Sequence, residues 1–169
     1  MKEIVTFENE EKFRDRAEEV FRKHAEMITS AIPSAEIHHV GSTAVIGSLT
    51  KGDVDLQIRV DESTFEYARS YLDQTYALNE GSSQTSFFGA YEKEDEILPL
   101  GLQLTLKHSV VDNFWKVTHF FKENPDITKN YNTLKMTHDG KEMDDYRDEK
   151  AVFMRNLLES ESYREHSLR

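Results

Sequence analysis

A chain of 169 residues with 37% hydrophobic and 11% aromatic positions can bury a core without staples, and its charges describe a solvated exterior rather than disorder. It contains no cysteine, which excludes disulfides, thiolate metal sites and cysteine nucleophiles and favours a hard ion such as Mg²⁺. A formal net charge of -11 argues against unaided binding to nucleic acid, and no run reaches the roughly 20 apolar residues of a membrane helix, so a cytoplasmic protein acting on a small molecule or a protein is expected.

In chain order, Phe13, Ala17, Val20, Phe21, Ile28 and Ile32 recur at helical spacing and predict an amphipathic helix from about Asn9 to Ile32, capped by Asn9 and stopped at Pro33. Glu36 to Val40 reads as a short strand that runs into a turn at Gly41-Ser42-Thr43. Val54, Leu56, Ile58 and Val60 then alternate with Asp55, Gln57 and Arg59, the period of a half-buried strand, so Asp53 and Asp55 point to one face. Glu62 to Gln74 reads as a helix, while Ser86 to Tyr91 and Leu98 to Lys107 read as strands joined by a solvated acidic turn over Glu92 to Glu96. Beyond Asp112 the pattern is helical: Phe114 to Lys122, a break at Asn124-Pro125, Asp126 to Met136, and Asp144 to Glu161, with a fraying tail past Ser162. With no repeat or Gly/Ser linker, a single domain over 1–169 is expected: an α/β core over about 1–108 and a helical portion over about 109–169 packed on it.

Two carboxylates two residues apart on a strand project side by side, so Asp53 and Asp55 can approach one hard cation, Mg²⁺ or Mn²⁺. Ahead of them, Gly41 lets backbone approach a phosphate, and the amides of the turn with the Ser42 hydroxyl supply donors. Together the two halves describe a site for a metal-bound nucleoside triphosphate, with Lys51 close enough in sequence to neutralise phosphate. His39 and His38 alternate on the strand entering the turn, so one faces inward, either as a structural hydrogen bonder or as a catalytic group. Tyr131 with Lys135, and Tyr146 with Lys150, stand at i and i+4 on two late helices. If that face closes the cleft, the lysines meet phosphate and the tyrosines stack a base; otherwise they are ordinary packing and surface charge, as Trp115, Phe120 and Phe121 are expected to be core.

The order Gly-Ser, helical turn, Asp-Val-Asp on a strand resembles the nucleotidyltransferase superfamily of the polymerase-β type. Within it, the chain is most similar to the GrpB family, through His39-Val40-Gly41-Ser42-Thr43-Ala44-Val45, Gly47, Lys51 and Asp55, and through Asn124-Pro125, Tyr131, Leu134, Lys135, Tyr146, Lys150 and Phe153 in the helical part. The resemblance implies a mixed β-sheet flanked by helices, an α+β fold with a helical C-terminal part. It also implies Gly41, Ser42, Thr43, Lys51, Lys135 and Lys150 as phosphate ligands, and Asp53 and Asp55 as metal-binding catalytic acids, with His39, Gln103, Thr105, Tyr131 and Tyr146 as supporting residues.

Four departures from the family pattern bear on the chemistry. Ile46 and Gly52 stand where proline is usual, and Thr118-His119 where an Arg-Asp pair is common. Gln103-Leu104-Thr105 replaces the usual His-x-His, and Leu98 to Lys107 also lacks the third carboxylate that serves as metal ligand or general base in active polymerase-β-type enzymes. Asp53, conversely, restores the paired acids of which many relatives keep only the second. Two functions follow from this reading. The first is Mg²⁺-dependent transfer of an NMP group from an NTP, with ATP the leading choice, to a small-molecule or protein acceptor; the second is a nucleotide-binding or interaction module without turnover.

Overall fold

The computed structural model describes residues 1–95 and 97–169. Its elements run β1 (Ile4–Val5), β2 (Glu8–Asn9), α1 (Arg14–Ala31), β3 (Glu36–Val40), β4 (Leu49–Thr50), β5 (Val54–Val60), α2 (Glu62–Thr75), β6 (Ala77–Leu78), β7 (Phe88–Glu94) and β8 (Pro99–Leu106). The helical portion follows as α3 (Phe114–Glu123), α4 (Pro125–His138), β9 (Lys141–Glu142), α5 (Met143–Glu159) and α6 (Glu161–Ser167). Five strands form a mixed sheet in the order β3-β5-β8-β7-β6, in which β5 and β8 pair in parallel and their neighbours antiparallel. The fold is α+β, a mixed sheet flanked by helices.

The alternation in β5 divides the sheet into two unlike faces. Val54, Leu56, Ile58 and Val60 are fully buried on one face, with Leu100, Leu102 and Leu104 of β8, against Ala17, Val20 and Ile28 of α1 and Phe65, Ala68 and Leu72 of α2. Burial of such side chains contributes roughly 1.5–3 kcal/mol each, so this face anchors the sheet. On the other face Asp55, Gln57 and Arg59 register against Gly101, Gln103 and Thr105. A second cluster, Val45, Phe120, Phe121, Tyr131, Leu157 and Tyr163, binds the late helices to the turn after β3.

The start of α3 is pinned to the polar face by buried charge. Asp112 accepts from Arg59 Nε at 2.7 Å and Nη2 at 2.8 Å, and from Gln57 Nε2 at 3.1 Å, while the Trp115 amide donates to Gln57 Oε1 at 2.9 Å. Thr105 is part of this support, its hydroxyl accepting from Gln57 Nε2 at 2.9 Å.

Three expectations change. The tail past Ser162 does not fray: Ser160 caps α6 by accepting from the Tyr163 amide at 3.2 Å, and the buried Tyr163 ring meets Phe120 edge-on at 5.4 Å, with His166 against the same Phe120 ring at 5.3 Å. The same serine separates α6 from α5, which ends at Glu159, two residues short of the expected Glu161. The acidic stretch is not a solvated turn, since Glu92 to Glu94 continue β7 and Asp95 is buried, 2.8 Å from His24 Nε2 and 3.1 Å from Lys23 Nζ; Glu96 lies outside the described residues. Finally, Asn9 caps a short 3-10 turn over Glu10–Lys12, and α1 starts at Arg14.

Candidate functional site

β3 leads into Gly41, whose φ of 77° favours a residue without Cβ. A Cβ at Gly41 would also fall 2.6 Å from Asp55 Oδ2. The Gly41 amide is not open to a ligand, because it donates to Thr118 Oγ1 of α3 at 3.1 Å. Thr43 Oγ1 donates to the Asp53 carbonyl at 3.1 Å, which leaves it to accept from His39 Nε2 at 3.0 Å. His39 thus braces the turn from behind, stacked on Phe21 of α1 at 5.2 Å, and burial draws its pKa down to about 4. His38, on the opposite side of the strand, stacks on Trp115 at 5.8 Å.

Asp55 occupies the middle of the site. Its carboxylate is wedged between two glycines, since a Cβ at Gly101 of β8 would lie 2.8 Å from Oδ1, as one at Gly41 would from Oδ2. Gln103 flanks it on β8, with its buried Oε1 lacking a partner among the described residues. Desolvation pushes the Asp55 carboxyl above the usual carboxylate range, with Lys150 pulling the other way and Asp53 adding to the rise. Asp53 immediately precedes β5, and its Oδ2 pairs with Lys51 Nζ at 3.2 Å, both side chains partly in solvent.

The late helices bring a buried cation to the turn. Lys135 Nζ donates to Ser42 Oγ at 2.9 Å, to the Leu49 carbonyl at 2.6 Å and to Ser48 Oγ at 3.3 Å, and it lies 4.0 Å from the Tyr131 ring centroid. Burial with no carboxylate partner among the described residues, aided by Lys150 and Lys51, lowers its pKa to about 7. Because Ser42 Oγ accepts from this lysine, its own proton is free to donate forward. Tyr131 and Tyr146 share a 2.9 Å hydroxyl contact, and the Tyr131 ring stacks with both Phe121 and Phe153, so the tyrosines serve packing rather than offering an open face to a base.

These residues enclose a cleft of about 380 Å³. Gly41, Ser42, Asp55, Gln103, Tyr131 and Lys150 line it, whereas Asp53, Thr43, Lys51, Lys135, His39, Thr105 and Tyr146 stand behind or beside its walls. Sequence reasoning missed Gly101, Asn113 and the apolar wall of Val117, Phe121, Met154 and Leu158. Thr118, noted only as a departure from a pattern, proves to hold the turn; no local signal links it to Gly41, 77 residues away. Among the described residues, Asp55 is the one carboxylate that lines the cleft. Its oxygens, uncovered where two Cβ atoms are missing, and those of nearby Asp53 fit a hard divalent cation, which takes oxygen ligands.

The family model described as GrpB protein matches residues 10–160. The UPF0157 protein of Vibrio cholerae is 25% identical over 159 residues, covering 91% of this chain and 82% of that protein. The crystal structure of GrpB from Enterococcus faecalis superposes with a TM-score of 0.66 at 17% identity, over 96% of each chain. The Cid1 poly(U) polymerase, in a structure with MgGTP bound, superposes with a TM-score of 0.50 at 10% identity over 78% of this chain and 43% of its own, so the two share a fold over that part.

Proposed function

Since this chain belongs to the GrpB family, we propose that its cleft binds a magnesium-bound nucleoside triphosphate and transfers the nucleotidyl group to a hydroxyl of a small molecule or protein. The observation that carries this reading is the Asp55 carboxylate at the centre of the cleft, flanked by glycine on both sides and faced by Ser42 and Lys150. Asp55, with Asp53 beside it, would hold the cation, which supplies charge neutralisation at the phosphorus under attack and on the departing pyrophosphate. The Ser42 hydroxyl donates to a phosphate oxygen, while Lys135 orients that hydroxyl and places positive charge directly behind it. Lys150 offers a second cation from α5. The apolar side, from Val117 and Phe121 to Met154 and Leu158, takes the base or the body of the acceptor and keeps water from the reacting end.

A second reading, binding without turnover, is favoured by one observation. The β8 positions beside Asp55 are Gly101 and Gln103, so among the described residues the cleft lining holds no second carboxylate to take the proton of an attacking hydroxyl. Calorimetry with Mg²⁺ and each of the four common NTPs, ATP first, tests the shared premise. Binding that is lost in Asp53→Ala/Asp55→Ala is expected. Failure of every NTP to bind, or equal binding by the double variant, would sink both readings. Pyrophosphate release across a panel of metabolite acceptors then separates transfer from binding alone.

A further inference from the structure

Away from the cleft, His119, Glu123 and His166 bring one ligand atom each within 4.8 Å of one another. His119 and Glu123 are one turn apart on α3 and so share a face, and His166 reaches them from α6. The Glu123 carboxylate lies between the rings, Oε1 3.3 Å from His119 Nε2 and Oε2 3.2 Å from His166 Nδ1. A tetrahedral ion with bonds of about 2.0–2.1 Å spaces its ligand atoms about 3.3 Å apart, so rings at 3.3 and 3.2 Å from the two oxygens of one carboxylate lie within reach of an ion bound at Glu123. None of the three residues lines the cleft.

We propose that this trio is a metal site for Zn²⁺ or a similar borderline divalent ion, with two imidazoles, one carboxylate and an outward position for water. Imidazole selects such ions, whereas Mg²⁺ and Ca²⁺ prefer all-oxygen sets, so this site and the Asp55 cleft differ in the cation they take. The arrangement is partly fixed in advance: the His166 side chain is 11% exposed, and its ring packs edge-on against Phe120 at 5.3 Å. His119 and Glu123 are 55% and 51% exposed, leaving the fourth position open. Ligands from two helices make the ion a clip that fastens α6 onto α3. Because α3 carries Val117, Thr118 and Phe121, the clip stiffens one wall of the cleft without touching it.

The test uses the full chain without a histidine tag, stripped by a chelator and titrated with Zn²⁺ alone in the calorimeter. One equivalent is expected to bind saturably and to raise the Tm, while Mg²⁺ at the same concentration does neither at this site. His119→Ala and His166→Ala are each expected to weaken Zn²⁺ binding at least about tenfold. Since His166 is the more enclosed, His119→Ala, at an exposed position, provides the comparison if the other variant folds poorly. Zn²⁺ binding of equal strength in His119→Ala, or no saturable binding by the wild type, overturns the site. Neither outcome bears on nucleotide binding, which rests on Asp55.

Discussion

Asp112 and Asp55 both serve the polar face of β5, and their surroundings treat charge in opposite ways. Burial works against the ionised form of each. At Asp112 the Arg59 guanidinium, on two nitrogens, and the His108 amide outweigh burial and hold the carboxyl below its ordinary range. At Asp55 the compensation falls short and the carboxyl stands above its range, although Lys150 faces it. One end of the strand is an electrostatically closed joint; the other keeps charge in want of a partner. Uncompensated charge of that kind is a cost to folding and a resource for binding, which is why the Asp55 end reads as the working end.

The sharpest way to break the comparison is to remove the joint. Asp112→Ala leaves Arg59 buried with only Glu36 as a carboxylate partner, and a loss of about 3 kcal/mol is expected in urea denaturation. A loss under 1 kcal/mol would mean that the joint is not the structural element described.

Lys135 extends the contrast to the turn. Folded, it releases its proton near pH 7, whereas the unfolded chain holds it to about pH 10.4. The unfolded state therefore binds more protons across that window, and stability rises with pH there by up to about 1.4 kcal/mol per unit. Subtracting the pH profile of Lys135→Met from that of the wild type isolates this slope, and a flat difference would place the lysine's charge in water. The same lysine is expected to take up a fraction of a proton when a triphosphate arrives, read as a buffer-dependent binding enthalpy that Lys135→Met abolishes.

The smallest expected effect carries the opposite sign to the first. A raised folded-state pKa means that stability is lost as pH climbs from the unfolded value through the folded one, so ionised Asp55 weakens the fold at pH 7. Asp55→Asn is expected to gain stability at pH 7 in urea denaturation and to lose metal-dependent nucleotide binding. A loss of stability instead would make Asp55 a second closed joint.

How far the sequence was legible depended on the range of the interaction. Period-two alternation in Val54 to Val60 and the Asn124-Pro125 break are local signals, and the elements they mark lie within a residue or two of expectation. Asp95 looked solvated because it sits in an acidic run, yet its partners, Lys23 and His24, come from α1 more than 70 residues away. α6 was illegible for a similar reason, since one aromatic, Tyr163, docks an otherwise polar stretch on a ring from another helix. At the candidate site the Gly-Ser turn and Asp53-Val54-Asp55 were visible as a motif. The space around Asp55 was not, because it is made by an absent Cβ on a neighbouring strand, and Gly101 carries no mark of that role in its own surroundings.

β1 pairs with β9, Ile4 opposite Glu142 and Val5 opposite Lys141, and Val5 is buried with Met143 and Tyr146. During synthesis β1 is made well before β9 and has to wait, its apolar side uncovered, until the strand it pairs with has followed. Such distant pairing is slow and belongs to the last steps of folding. Nascent chains interrupted before β9 are thus expected to display Val5 and Phe7 to chaperones and proteases, which makes the two-residue ladder a sign that synthesis has passed β9.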